Sequence, residues 1–264
     1  MTSNRMRRLA IGLGVIPIIG AVVLFGIVQR EPERARRLET TVGLPAPVVV
    51  VPGYNGTTDT VSAIAARLRA EGRMVVPVRL PDLGRGSIAR SAAYLRTVVE
   101  DLGSSPVDIV GFSAGGVVVR AFLGANADRL PVRRVVLLGA PNHGAQIASV
   151  AAELNPSLCT GACRQLRPGS AFLSELNSGD ETPGDPQYTS IWTERDQLVT
   201  PPDSARLEGA RNVSLQDACA NARAGHGELL FDPLALGLMA RALNGTLPDG
   251  VAGACEELRK EEGS

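Results

Sequence analysis

Lysine is almost missing from this 264-residue chain: among its 27 basic residues, Lys260 alone is a lysine. With abundant Ala, Gly and Val, that bias reads as the mark of a GC-rich genome, not as a phosphate-binding surface. No charge of either sign is in excess, because 27 acidic residues balance the basic ones. Nucleic acid is therefore not an expected partner. Histidine is limited to His143 and His226, and the four cysteines lack the C-x2-C spacing of structural zinc sites. No metal is expected. Hydrophobic residues at 44% against 20% charged exclude a disordered chain. No internal repeat is visible.

The first 37 residues differ from the rest and leave roughly 225, enough for one α/β domain with a large core over residues 38–264. Arg5, Arg7 and Arg8 precede an uncharged stretch from Leu9 to Val28, and QREPERARR follows. Twenty such residues can span a bilayer core as a helix. No A-x-A cleavage site follows Val28, which favours an uncleaved signal anchor over a cleaved signal peptide. Arginines flank both ends, so they do not fix the orientation. Cys159, Cys163, Cys219 and Cys255 all lie beyond this stretch. An even set behind an export signal reads as two disulfides in an extracytoplasmic domain, membrane-anchored or secreted. Of three pairings, Cys159 with Cys163 and Cys219 with Cys255 is preferred, since the second would tie a histidine-bearing loop to the carboxyl tail.

From Pro45 onward the pattern alternates strand and helix. Apolar runs at Val48–Val51, Met74–Val78, Val107–Val110 and Val135–Leu138 read as buried parallel strands. Tyr188–Thr193 and Asn212–Leu215 follow as the last two. Between them, Val61, Ile64, Ala65 and Leu68 recur at helical spacing, as do Ile88, Ala92, Leu95, Val99 and Leu102 behind a candidate N-cap, Ser87. Asp232 and Pro233 open a closing helix. The expected class is α/β with a parallel, doubly wound sheet. Asn155 to Pro186 reads as loops with one short helix.

The third strand ends in Gly111, Phe112, Ser113, Ala114, Gly115 and Gly116 and runs directly into an apolar helix. That is the context a nucleophile elbow needs: small residues at Gly111 and Gly115 permit a strained turn that lifts the serine hydroxyl clear of the sheet. A hydroxyl needs a base to become nucleophilic. In elbow enzymes the chain order is serine, acid, histidine, and only His226 leaves room for an acid between. Asp196, in TERDQLVTP after the next-to-last strand, is the expected acid, with Asp203, Glu194 and Asp217 as alternatives. The oxyanion hole needs one N–H after the nucleophile, Ala114, and one from the loop after the first strand, at Tyr54 in PGYNGT. Asn55, Phe112 and His143 are candidate pocket residues.

The blocks VVVVPGYNGT, VDIVGFSAGGVVVR, VVLLGAPNHG and YTSIWTERDQLVTPPDSARLEGARNV followed by GHGELL run from Val48 to Leu230. Together they resemble the small bacterial α/β-hydrolase lipases of the lipase class 2 family. The resemblance implies a minimal parallel sheet flanked by helices, with little or no lid domain, and lipase or esterase activity on acyl esters or lipids without a cofactor. It carries the nucleophile to Ser113, the acid to Asp196, the base to His226 and the oxyanion donors to Tyr54 and Ala114. An acyltransferase or thioesterase with the same machinery is a second reading, and a non-catalytic binding scaffold a third. Only Asn142–Gln187 is long enough to hold a covering element. Its best helical piece, Ser170–Leu176, carries an apolar face suited to packing on the domain, which favours a loop tied down by a disulfide.

Overall fold

Four consecutive valines form the first strand, β1 (Val48–Val51), and the pleat sends them alternately to two faces. Val48 and Val50 enter one buried cluster, Val49 and Val51 the other. The same alternation recurs in β3 (Val107–Phe112) and β4 (Val132–Leu138), where Val110 and Val136 face one side, Ile109 and Val135 the other. A sheet covered on both faces favours apolar residues on both, which is why these strands read as near-continuous apolar runs, interrupted at Asp108, Arg133 and Arg134.

This architecture comes from a computed structural model that describes residues 45–103, 105–126, 131–157, 159–252 and 255. The stretch Leu9 to Val28 and the expected boundary after residue 37 lie outside the described residues. Among the described residues no helix is long and apolar enough to cross a membrane.

Six strands, completed by β2 (Val75–Pro77), β5 (Gln187–Trp192) and β6 (Arg211–Ser214), pair in the order β2-β1-β3-β4-β5-β6. Every pairing is parallel. Residues of α1 (Ser62–Ala70) and the closing helix α8 (Pro233–Asn244) cover one face, and those of α2 (Ile88–Asp101) and α3 (Ala114–Asn126) the other. The Asp232 side chain accepts from Ala235 N–H at 3.0 Å, and Gly245 closes α8 in the left-handed conformation. Ser87 precedes α2 as expected, but its hydroxyl does not cap the helix. Gln165, 77 residues away in sequence, accepts from Ile88 N–H at 2.8 Å instead.

Between β4 and β5 lie three helices, α4 (Gln146–Leu154), α5 (Ala162–Gln165) and α6 (Ala171–Leu176), the last two within the stretch Asn155–Pro186 where one short helix is expected. A further short helix, α7 (Leu215–Ala218), follows β6. The β4–β5 segment is tied down throughout. Gln146 N–H donates to Thr200 C=O, Ala145 N–H to Leu166 C=O, and Ala162 N–H to Gly86 C=O. A disulfide joins Cys159 to Cys163, and a second joins Cys219 to Cys255 across 36 residues. In α6, Leu173 is buried while Phe172 and Leu176 pack against the same cluster.

At the amino-terminal edge of the sheet lies a charged clamp that periodicity does not reveal. Asp108 is fully buried, and Arg133 grips it in bidentate fashion, Nε to Oδ1 at 3.0 Å and Nη2 to Oδ2 at 2.7 Å. That hydrogen bonding raises the Arg133 pKa above the usual arginine value. Arg73 adds a third contact at 3.0 Å and also donates to the carbonyls of Ala46 and Leu243. One carboxylate thus links β3, β4, the approach to β1 and the end of α8. Replacing Asp108 by Asn leaves buried Arg73 short of its counter-charge and should cost about 3 kcal/mol of stability, read by urea denaturation. An unchanged midpoint would show that the clamp contributes nothing. The Cys219–Cys255 closure should contribute roughly 3–4 kcal/mol by the loop-entropy account. Reductant should accordingly lower the melting temperature by roughly 10 °C, as followed by circular dichroism.

Candidate active site

Neighbours of β1 leave it on opposite sides, β2 one way and β3 the other. In open parallel sheets such a divergence opens a crevice at the carboxyl ends of the strands. Two sequence motifs meet there. β1 runs into Pro52–Gly56 and β3 into Ser113, with Val51 and Gly111 in register.

Ser113 has φ +52°, a left-handed conformation that a residue with a side chain rarely adopts. Its surroundings supply the room. A Cβ on Gly111 would lie 2.6 Å from Gly116 Cα, and one on Gly115 would meet the carbonyl oxygens of Val51 and Pro52. A Cβ on Gly53 would stand 2.9 Å from that of Ser113. Helix α3 therefore starts hard against β1, its first N–H groups beside the Ser113 hydroxyl. Ala114 is the first residue of α3, so its N–H has no partner within the helix. In the opposite loop, Gly56 N–H closes a turn onto Gly53 C=O at 3.1 Å and leaves Tyr54 N–H outside that bond.

His226 Nε2 lies 2.9 Å from Ser113 Oγ, and His226 Nδ1 lies 2.7 Å from Asp196 Oδ2. Both Asp196 and His226 are buried. The other carboxylate oxygen of Asp196 accepts from Leu198 and Val199 N–H at 2.9 and 2.7 Å. Asp196 is thus aimed from behind, and the imidazole is held between carboxylate and hydroxyl. The ring of Phe112 supports it, tilted at a centroid distance of 5.2 Å. Gly139, at the end of β4, keeps space for the same ring: a Cβ there would lie 3.4 Å from two of its atoms.

The structure brings together Ser113, Asp196, His226, Tyr54, Ala114 and Phe112, and leaves other candidates apart. Asp217 forms a capping box with Ser214 at the start of α7, and Glu194 approaches the Ser214 hydroxyl at 3.5 Å. Asp203 belongs to a single 3-10 turn, Pro202–Ala205. His143 and Asn55 do not line the cavity. His143 turns to Glu181, Nε2 to Oε1 at 2.9 Å, and to the Ser204 carbonyl at 3.3 Å. Asn55 is exposed at φ +57°, a turn position that asparagine tolerates.

Other positioning residues carry no motif. Thr193 Oγ1 donates to Ala224 C=O at 2.7 Å and so joins the acid loop to the histidine loop. Arg195 and Gln216 both donate to Ala222 C=O at 3.1 Å. The residues between β6 and His226 thus form α7, a disulfide and a braced loop. Their only sequence signal is Cys219.

Around Ser113 lies a cavity of about 440 Å³, within the range of small-molecule sites. Apart from Ser113 and His226, the polar side chains on its wall are Tyr54 and Thr60, and the rest is apolar. Among the described residues no group of three His, Cys, Asp or Glu is placed to hold a metal ion.

The model of the alpha/beta hydrolase family matches residues 48–251. The chain belongs to the alpha/beta hydrolase family. The chain is 28% identical over 155 residues to a triacylglycerol lipase of Burkholderia plantarii, covering 54% of this chain and 41% of that one. It thus spans less than half the length of that relative. Among solved structures it superposes on Aspergillus fumigatus lipase B with a TM-score of 0.65 at 20% identity, over 80% of this chain and 54% of the other. Bacillus licheniformis lipase BlEst2 in its mature form gives 0.60 at 21%, over 76% and 93%. Those two likenesses bear on fold alone.

The backbone packing generates a prediction of its own. Gly115→Ala forces a methyl group against β1 and should abolish fluorophosphonate labelling of Ser113. The melting temperature should fall by only a few degrees. Labelling at the parental rate would mean the tight approach is dispensable.

Proposed function

We propose that this hydrolase is a serine carboxylic ester hydrolase, a lipase or carboxylesterase that works through an acyl-enzyme. The observation that carries the reading is the hydrogen-bonded series Ser113–His226–Asp196 opening into an apolar cavity. The lipase name of the Burkholderia relative supports it.

In this mechanism His226 Nε2 takes the Ser113 proton as Oγ attacks the ester carbonyl. Asp196 orients the ring through Nδ1 and stabilises the imidazolium, while its second oxygen stays anchored to the Leu198 and Val199 amides. The N–H groups of Ala114 and Tyr54 receive the oxyanion. His226 then returns the proton to the leaving alcohol, and a water activated by the same ring releases the acid. We further propose that residues 1–37 deliver or anchor the catalytic domain, residues 38–264, outside the cytoplasm. Two disulfides suit that compartment.

Ser113→Ala, His226→Ala and Asp196→Ala should each lower ester turnover by several orders of magnitude, and the double variants should lose little more, because such residues act as a unit. His143→Ala should retain most activity. Steady-state hydrolysis of a p-nitrophenyl ester checks all of these. A folded Ser113→Ala protein with parental turnover would sink the proposal.

A further inference from the structure

The inner face of α4 is unusually small. Its sequence, QIASVAAEL, puts Ala148 and Ala151 one turn apart, and both line the cavity beside Ser113. Of its larger residues, Ile147 lines only the exposed part of the cavity, while Val150 is 46% exposed and Leu154 82%. The cavity's closed end is taken as the part lined by buried Ala148 and Leu166, with Ala151, one turn on from Ala148, half-buried, and its mouth as the part where Tyr54, Ile147 and Leu198 are exposed.

We propose that the closed end takes the acyl chain of a medium-chain ester, and that Ala148 and Ala151 set how long a chain it admits. This rests on the ester-hydrolase reading above. The alcohol leaves in the first half of the reaction, and the exposed mouth suits a group that departs. The acyl group stays bonded to Ser113 Oγ until water releases it, so the enclosed apolar space suits the group held through both halves. Each methylene that moves from water into such a wall raises kcat/KM by about fourfold until the chain meets the end.

The start of the alanine wall is held in place. Gln146 N–H is bonded to Thr200 C=O at the start of α4, and Ala145 N–H to Leu166 C=O. The next wall element, α5, is stapled by Cys159–Cys163 and bonded to Gly86 and Ile88 through Ala162 and Gln165. Side-chain volume added at 148 or 151 therefore enters the cavity instead of displacing the helix.

The test uses the full chain and p-nitrophenyl acetate, butyrate, octanoate and laurate below their solubility limits. The parent protein should favour octanoate over acetate by more than tenfold in kcat/KM. Ala151→Phe should cut that ratio at least tenfold, chiefly through a higher KM for octanoate, and Ala148→Leu should cut it by a smaller factor. Val150→Phe, on the exposed side of the same helix, should leave the ratio unchanged. Fluorophosphonate labelling of Ser113 reports an assembled site in each variant, and Ala148→Leu decides the matter if Ala151→Phe fails to label. A flat chain-length profile in the parent, an unchanged ratio in labelled alanine variants, or an equal change in Val150→Phe overturns the proposal. Absence of both labelling and turnover in the parent would instead overturn the ester-hydrolase reading beneath it.

Discussion

Ser113 is held at a positive φ, and the rest of the site exists because that conformation is tolerated. A left-handed residue bearing a side chain is strained by roughly 1–3 kcal/mol and persists only where the surroundings over-determine it. Here the surroundings are missing side chains. With no Cβ at Gly111, Gly115 or Gly53, α3 can press its first turn against the end of β1. That approach brings the loops after two adjacent parallel strands, β1 and β3, into close contact beside the serine hydroxyl. A bulkier elbow would relax the turn, and the hydroxyl and its amide neighbours would part.

The imidazole has the opposite problem. It arrives on a loop with few backbone bonds of its own, 113 residues from its serine. Its position is secured from outside. Thr193, Arg195 and Gln216 hold the carbonyls of Ala222 and Ala224. A disulfide fixes Cys219, Phe112 backs the ring, and Asp196 pins Nδ1. Asp196 is itself pinned by two amides, so rigidity passes from backbone to carboxylate to ring. Positional precision on this side comes from many modest contacts, whereas on the serine side it comes from the absence of atoms.

That contrast explains what was legible in the sequence. The sheet could be read because burial on both faces favours apolar runs: β1 is valine throughout, and β3 and β4 carry charges only at Asp108, Arg133 and Arg134. That Ser113, Asp196 and His226 meet could be anticipated because the elbow has a strict local grammar and the chain has only two histidines. Helix α4 could not. Three of its nine residues are alanine, the residue before it offers no side-chain cap, and Val150 and Leu154 are exposed, so the helical stripe of large apolar residues that marks a buried face is absent. The Arg73–Asp108–Arg133 clamp was equally hidden, because a buried charge inside a valine run looks like an interruption until its partners from β4 and the end of α1 are in place. His143 misled for a related reason: it follows a strand toward the site, yet Glu181 and the Ser204 carbonyl draw it away.

A second buried arginine shows how the same chain separates stability from chemistry. Arg120, on α3, is fully buried, and desolvation lowers its pKa to about 10 against the opposing pull of Glu181. It donates to the backbone carbonyls of Asn142 and Glu181 rather than to a carboxylate. Asn177 donates to the same Asn142 carbonyl at 3.1 Å. The helix that begins at the nucleophile is thereby locked, half-way along, to the loop leaving β4 and to the segment leading into β5. Since α3 carries Ala114 at its first position, any slide of the helix along its axis would shift that residue's N–H by the same amount. A charged side chain buried among carbonyls is costly to solvate poorly. Its presence here is understandable if what it secures is the axial position of α3, a degree of freedom that apolar packing along a smooth valine face leaves soft.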